Sequence, residues 1–295
     1  MKIKDSFTDK IFMIFSYIVV ALIVFICIYP LWLVIIYSVS NPDLVNAGKV
    51  FFLPKEINLD GYRQVFSRGD LMKGYWNTIT QTLAGVTINM VLTIPMAYAL
   101  SKSHLVGRKF FMTLVVITMY FSGGLIPSFI NMRNLGLINN WWVIPLTGAI
   151  SSYNLIVART FFASGVPREL EEAAEIDGCS TAGTFFRIVL PLSKAMLGVI
   201  LLYYVVAHWN NYTTALYYMP ATNEYWPLQM VIRNLMNDVL AAQEMDDPEM
   251  MAYYSKLYNM IKYAVIVVSS LPVLILYPFL QKYFDKGVML GSVKG

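Results

Sequence analysis

One charged segment, residues 167–191, separates long apolar stretches and carries the side chains best suited to a specific contact. It reads PRELEEAAEIDGCSTAGTFFRIVLP: its leading proline suits a first helical turn, strong helix formers follow, and Gly178 can adopt the left-handed conformation that ends a helix. Leu170, Ala173 and Ala174 share one face at i, i+3 and i+4 spacing, and charged side chains occupy the rest. The pattern predicts a short exposed helix with a shallow apolar stripe to which another protein can dock.

The same segment resembles a known motif. It contains Glu172-Ala173-Ala174, three residues, Gly178, nine residues, and then Ile188-Val189-Leu190-Pro191, which matches the complete EAA pattern of ABC-importer membrane subunits. The alternative is a solvated loop with a chance tripeptide. In that family the loop forms a cytoplasmic coupling helix in a cleft of the ATPase subunit, so the resemblance implies that this segment receives the motion of an ATPase. The implied coupling residues are Glu171, Glu172, Ala173, Ala174, Asp177 and Gly178.

The composition excludes a soluble domain. Of the 295 residues, 57% are hydrophobic and only 14% are charged, whereas about 25% are charged in a typical soluble domain. The mean hydropathy is +0.56. An all-α, polytopic membrane protein is therefore predicted.

The net charge of +4 comes from basic residues at span ends, which gives no reason to expect a nucleic-acid partner. Cys27 and Cys179 lie in dissimilar surroundings, so neither a disulfide nor a metal site is expected.

Six apolar segments are long enough for membrane spans, which need about 20 helical residues. The first is too long for the apolar region of a signal peptide and lacks a cleavage pattern, so it is predicted to be retained. The predicted spans are 11–38, 75–100, 110–126, 141–157, 195–218 and 263–280. Six spans place both termini on one side of a bacterial plasma membrane. Thirteen of the 22 Lys and Arg residues lie on that side, mostly in the shorter loops, which predicts that it is cytoplasmic.

This topology divides the chain into three parts. Residues 1–74 are predicted to form the N-terminal tail, first span and outer loop, and 75–282 the transport core. The core includes the cytoplasmic EAA loop at 159–194 and an outer loop at 219–260, and residues 283–295 form a cytoplasmic tail.

Two groups of polar residues interrupt the apolar spans. The second span carries Asn77, Gln81 and Asn89 on one face, and polar groups in a span need a partner or a cavity. This face is predicted either to bind neighbouring helices or to border a solute path. In the fifth span the sequence HWNNY at 208–212 looks like the family's W-N signature; it is either an interfacial belt or part of the path wall. The path candidates are Asn77, Gln81, Asn89, His208, Trp209 and Asn210.

The outer loop resembles the corresponding loop of maltose-type carbohydrate permeases, where it approaches a substrate-binding protein. The residues that carry the resemblance, and the candidates for that contact, are Trp226, Gln229 and Arg233. The acidic residues at 246–249 lack further ligands at a defined spacing, so no metal site is predicted there.

The sequence contains no phosphate-binding loop of the G-x-x-x-x-G-K-[S/T] type, so we expect ATP and Mg²⁺ to bind to a separate subunit, with no cofactor on this chain and no enzymatic activity of its own. The resemblance implies a type I importer permease, most similar to the second maltose-type subunit, that imports a carbohydrate, with an oligosaccharide expected. Its implied partners are a second homologous permease, two ATPase domains, an extracytoplasmic solute-binding protein and membrane lipid. An ion-coupled secondary transporter is the alternative, disfavoured because the spans are nearly free of ionisable groups.

Overall fold

The computed structural model describes residues 7–220, 224–243, 249, 258–276 and 278, and within these ranges it is helical and contains no strand. The helices are α1 (Phe7–Ser38), α2 (Pro42–Asn46), α3 (Asp60–Ser67), α4 (Gly69–Ser101), α5 (Arg108–Tyr120), α6 (Leu125–Asn134), α7 (Val143–Leu146), α8 (Ser152–Ser164), α9 (Arg168–Ile176), α10 (Thr181–Thr184), α11 (Leu190–Leu192), α12 (Lys194–Trp209), α13 (Thr213–Tyr218), α14 (Leu228–Gln243) and α15 (Tyr258–Leu276). A π-helical turn, Phe185–Val189, joins α10 to α11.

Three helices, α1, α4 and α15, are each long and apolar enough to cross a membrane. Two further spans are counted if each of two bent helix pairs is a single span: α5 with α6, bent by 116°, and Thr181–Leu192 with α12, bent by 82°. The predicted fourth span is divided into the short helices α7 and α8. The predicted number of six spans therefore stays a prediction.

Glycines explain where the sequence-based boundaries differ from the structure. The third span was predicted to run unbroken over 110–126, but helix α5 ends at Tyr120 and α6 begins at Leu125. Gly124 between them has φ +84°, a conformation that residues with a side chain rarely adopt. In the same way, Gly148 at φ +76° separates α7 from α8, and Ser151 then caps the N-terminus of α8. Each glycine lies in a break between two helices that hydrophobicity alone would join.

The π-helical turn lies in the I-x-L-P part of the charged segment. Pro191 has no N–H to donate to the carbonyl four residues earlier, and its ring crowds that carbonyl. The preceding turn is wider than an α-helical turn, and the N–H of Leu190 reaches the carbonyl of Phe185. The fully buried Ser193 donates its hydroxyl to the carbonyl of Val189 at 2.7 Å, at the point where the chain bends into α12.

Of the residues that the structure describes, those up to 69 and those of 235–270 form one compact unit, and those of 70–234 and after 270 form a second. In the first unit, Ile36 of α1 packs with Val45 and Val50 from the loop that follows it. The second unit has a larger core in which α4, α8 and α12 meet, with Ala97, Leu155 and Ile200 fully buried. This core holds the two candidate sites described next.

Candidate coupling and transport sites

The polar face of α4 is buried within the second unit. Asn77 donates its side-chain amide to the carbonyls of Glu224 and Trp226, at 2.9 and 3.1 Å. One turn further, Gln81 donates to the carbonyl of Tyr225 at 2.8 Å. Since the 224–226 segment is not helical, its carbonyls need external donors, and α4 supplies them. At these two positions the polar face binds neighbouring protein, but the partner is a non-helical segment and not the neighbouring helix that one of the two sequence-based alternatives predicted.

Asn89, which is fully buried, connects α4 with two other elements. Its side-chain amide donates to the carbonyls of Gly148 and Ala149, at 3.0 and 2.8 Å, in the break between α7 and α8. Its oxygen lies 2.7 Å from Nε2 of His208. Because the Asn89 amide nitrogen is committed to the two carbonyls, its oxygen must accept, and Nε2 of His208 carries the donated proton.

The His208 ring fits against α4 only because residue 85 is glycine. A Cβ atom on Gly85 would lie 2.6 Å from Nε2 and 2.8 Å from Nδ1 of the imidazole, well inside contact distance. One turn after Asn89 along α4, the hydroxyls of Thr93 and Tyr204 lie 2.7 Å apart. The hydroxyl of Tyr204 also accepts from the backbone N–H of Ser151 at 3.1 Å. The start of α8 and the middle of α12 are thus joined to one face of α4.

An open cavity of about 660 Å³ lies between the segment 147–154 and α12. None of the twelve described residues that line it is charged. The lining combines hydroxyl, amide and aromatic groups, among them Ser151, Asn154, His208 and Asn211, and the neighbouring rings of Tyr153 and Tyr203. Such a mixture of aromatic surface and a few polar groups is typical of a site for an uncharged polar ligand.

The structure brings only one of the predicted path residues, His208, to this cavity. The side chain of Asn210 is turned back to the carbonyl of Val206, at 3.0 Å, and Trp209 is buried edge-on against Tyr75. Asn77, Gln81 and Asn89 lie in the protein interior, and their role in a solute path stays a prediction. The predicted interruption of the fifth span is confirmed, because α12 ends at Trp209.

The sequence analysis did not single out the lining residues Tyr153, Asn154 and Tyr203, and it included Asn211 only as part of HWNNY. The available signal for the first two was the polar sequence SSYN, which begins three residues after Gly148 inside an apolar segment. Neither Tyr203 nor Tyr153 stands out by composition, since the chain contains 20 tyrosines.

Two of the three residues predicted to face a binding protein make defined contacts within the protein. The indole of Trp226 donates to the carbonyl of Met219 at 3.2 Å. The guanidinium of Arg233 lies over the ring of Tyr212, 5.5 Å from its centroid. Gln229 is half-buried at the start of α14. Their contact with a binding protein stays a prediction.

Helix α9 forms where the charged segment predicts a short exposed helix, and its docking to a partner stays a prediction. Gly178, at φ +77°, follows its C-terminal end, and the N–H of Cys179 reaches back to the carbonyl of Ala174 at 2.8 Å. The predicted apolar stripe is divided: Ala174 is buried, whereas Leu170 and Ala173 are exposed. Leu170, Ala173 and Ile176 together form an outer face of α9, and Ile176 is 87% exposed.

The inner side of α9 is held by a polar cluster. The carboxylate of Glu171 accepts from the ammonium group of Lys102, just after α4, and from the hydroxyl of Tyr98 at 3.3 Å. The same ammonium lies over the Tyr98 ring, 4.1 Å from its centroid, where a cation is attracted to the face of the ring. Glu172 is exposed, beside a small pocket that separates α9 from the turn after α4. Across the described residues, no group of three or more His, Cys, Asp or Glu could hold a metal ion.

Helices long and apolar enough to cross a membrane, one of them with a buried polar face, indicate a membrane protein. Residues 3–290 match the family described as "Binding-protein-dependent transport system inner membrane component", and the chain belongs to this family. This confirms the resemblance drawn from the EAA pattern and the helical importer-permease fold. The family is a transport component and not an enzyme.

Individual relatives cover nearly the whole chain. It is 42% identical, over 92% of its length and 93% of the relative's, to the polygalacturonan/rhamnogalacturonan transport system permease protein YtcP of Bacillus subtilis. It is 30% identical, over 93% and 94%, to the arabinooligosaccharides transport system permease protein AraQ of Halalkalibacterium halodurans. Among solved structures, a chain of a bacterial ABC transporter involved in the import of the acidic polysaccharide alginate matches with a TM-score of 0.84 and 31% identity, covering 96% of this chain and 100% of that one.

Proposed function

We propose that this chain is the permease subunit of an ATP-driven importer for an oligosaccharide. The observation that carries the proposal is helix α9, which holds the Glu-Ala-Ala part of the EAA pattern at 172–191, is fastened on its inner side by Glu171, and leaves Leu170 and Ile176 exposed. The relatives named as permeases of polygalacturonan/rhamnogalacturonan and arabinooligosaccharides transport systems support a carbohydrate as the solute. The termini and α9 lie on the cytoplasmic side in this proposal.

The outer face of α9 docks in an ATPase subunit, which binds ATP and Mg²⁺. Motion of that subunit moves α9, and the contact of Glu171 with Lys102 and Tyr98 passes the movement to the end of α4. At its other end, α4 holds the 224–226 segment through Asn77 and Gln81, on the side where a solute-binding protein delivers the sugar. One helix therefore connects both sides of the membrane.

The cavity beside α12 is the proposed solute-facing surface of this subunit. The rings of Tyr153 and Tyr203 provide flat surfaces for the apolar faces of a sugar, and Asn154 and Asn211 provide hydrogen-bonding groups for hydroxyls. A second homologous permease closes the path from the opposite side.

Co-purification tests the coupling part of the proposal. The tagged chain is isolated in mild detergent from the cells that natively encode it, and ATPase activity is measured with and without the binding protein. We expect a second permease and an ATPase to co-purify and turnover to rise with the binding protein. Isolation of the chain alone, without ATPase, would contradict the proposal and favour an ion-coupled carrier.

A matched pair of variants locates the docking face. Ile176→Asp places a charge on the outer face of α9, and Val106→Asp places one on the turn before α5, where the side chain is 91% exposed. We expect the first variant to lose the co-purifying ATPase and the second to keep it. Equal retention in both variants would show that α9 is not the docking helix.

A further inference from the structure

The loop after α1 folds back along that helix and presents three neighbouring apolar side chains. Val50 points inward and is 1% exposed, packed against Ile36. Phe51, Phe52 and Leu53 point outward, with exposures of 58%, 63% and 72%. Exposed apolar clusters of this kind mark an interaction surface.

The backbone of this loop is fastened to α1 by three aromatic donors. The hydroxyl of Tyr37 donates to the carbonyl of Val50 at 3.2 Å, the indole of Trp32 to that of Phe52 at 2.9 Å, and the hydroxyl of Tyr29 to that of Phe51 at 3.3 Å. Non-helical backbone next to lipid needs hydrogen-bond partners because no water is there to supply them. The three donors meet this need for the carbonyls of Val50, Phe51 and Phe52.

The level of these donors along α1 places the loop at the membrane boundary. A hydrocarbon core of about 30 Å takes about 20 helical residues, so a span that begins at Ile11, after Lys10, reaches its outer boundary near Pro30. Tyr29 and Trp32 lie on either side of that level, where aromatic residues are enriched in membrane proteins. The ring of Phe52 lies 5.6 Å from that of Tyr29 and is therefore at the same depth.

We infer that residues 51–53 insert among the acyl chains of the outer leaflet and that the lysines beside them bind lipid headgroup phosphates. Lys49 and Lys55 flank the apolar residues and are both exposed. A lipid surface offers apolar chains with anionic groups directly above them, which matches this arrangement. The surface is also continuous with α1, whose apolar window is not buried within the protein at all. The inference rests on the topology in the proposed function, with α1 running outward.

Fluorescence quenching tests this inference on the assembled transporter in nanodiscs. In a Cys27→Ser, Cys179→Ser background, an environment-sensitive probe is attached at Phe52→Cys and, as a matched control, at Asp43→Cys, which lies exposed on α2 in the same loop. We expect lipids with a nitroxide near the top of the acyl chain to quench the probe at 52 severalfold more than at 43, and aqueous iodide to show the reverse order. Iodide quenching at 52 equal to that at 43, or protection from both quenchers by a covering protein, would overturn the inference.

The lysines are tested with Lys49→Gln and Lys55→Gln together. The nitroxide quenching at 52 is expected to fall more in membranes with phosphatidylglycerol than in pure phosphatidylcholine, and an equal change in both would refute the headgroup contact. Labelling of Asp43→Cys in cells by an impermeant thiol reagent tests the topology, and co-purification of the ATPase tests the proposed function. Failure of the lipid contact is thus distinguishable from failure of the topology and from failure of the proposed function.

Discussion

The carboxylate of Glu171 on α9 is bound to the ammonium group of Lys102, 69 residues earlier in the sequence, and both side chains are only 18% exposed. An ion pair screened from solvent in this way is stronger than one on an open surface and more costly to break on one side. This ion pair directly connects α9 to the C-terminal end of α4.

Removing one partner of this pair is expected to impair coupling. Lys102→Ala leaves the Glu171 carboxylate with the Tyr98 hydroxyl alone, and we expect the transport per ATP hydrolysed to fall while the ATPase still co-purifies. The double variant Lys102→Glu, Glu171→Lys restores the attraction and should recover part of the lost coupling. A swap that is no better than either single variant would show that the charge pair has no role.

The contact between Asn89 and His208 is expected to contribute strongly to the stability of the second unit. Asn89→Leu leaves the carbonyls of Gly148 and Ala149 and the His208 ring without their partner, and each buried unsatisfied group costs about 1–3 kcal/mol. We expect a large drop in the apparent midpoint of thermal unfolding in detergent. Thr87→Val, on the exposed side of the same helix, is the control and should change the midpoint little.

Tyr204 offers a more conservative test of the same core. Tyr204→Phe keeps the ring but removes the hydroxyl that contacts Thr93 and the backbone N–H of Ser151. We expect destabilisation by about 1–3 kcal/mol, since a buried N–H is left without an acceptor. Tyr203→Phe, in which the neighbouring tyrosine is 43% exposed, serves as the control. Similar thermal midpoints for both variants would contradict the assigned hydrogen bonds.

The C-terminal end of α9 favours a glycine at position 178 because of its backbone conformation and not because a side chain would clash there. A Cβ on Gly178 would meet nothing within 4 Å, but the residue has φ +77°. Gly178→Ala is therefore expected to cost about 1 kcal/mol through strain alone, and Gly178→Asn less, because asparagine tolerates this conformation better. Gly69→Ala, which is equally unhindered and lies outside the left-handed region, should be neutral. Co-purification of the ATPase with each variant, compared with that of the unaltered chain, measures the effect on docking.

The sequence was sufficient to predict the helical class, the short helix in the charged segment and the polar face of α4, because each depends on local periodicity and residue type. It did not show which partners that face has. Asn89 reads as a polar residue in a span, and only the tertiary structure shows that it binds the carbonyls at Gly148 and Ala149. The divided spans were missed for a related reason. The sequence stays apolar across Gly124 and Gly148, but the positive φ angles of these two glycines interrupt the helix.

Gly85 limits how α4 and α12 can move past each other. The positions at four-residue spacing along this face of α4 are occupied by Asn77, Gln81, Gly85 and Asn89, and only the glycine leaves room for the imidazole of His208. A slide of one helical turn, about 5.4 Å, would drive the ring into the side chain of Gln81 or of Asn89. The two helices therefore share a single longitudinal register, and in the transport cycle proposed above we expect them to tilt or rotate together and not to slide along their axes.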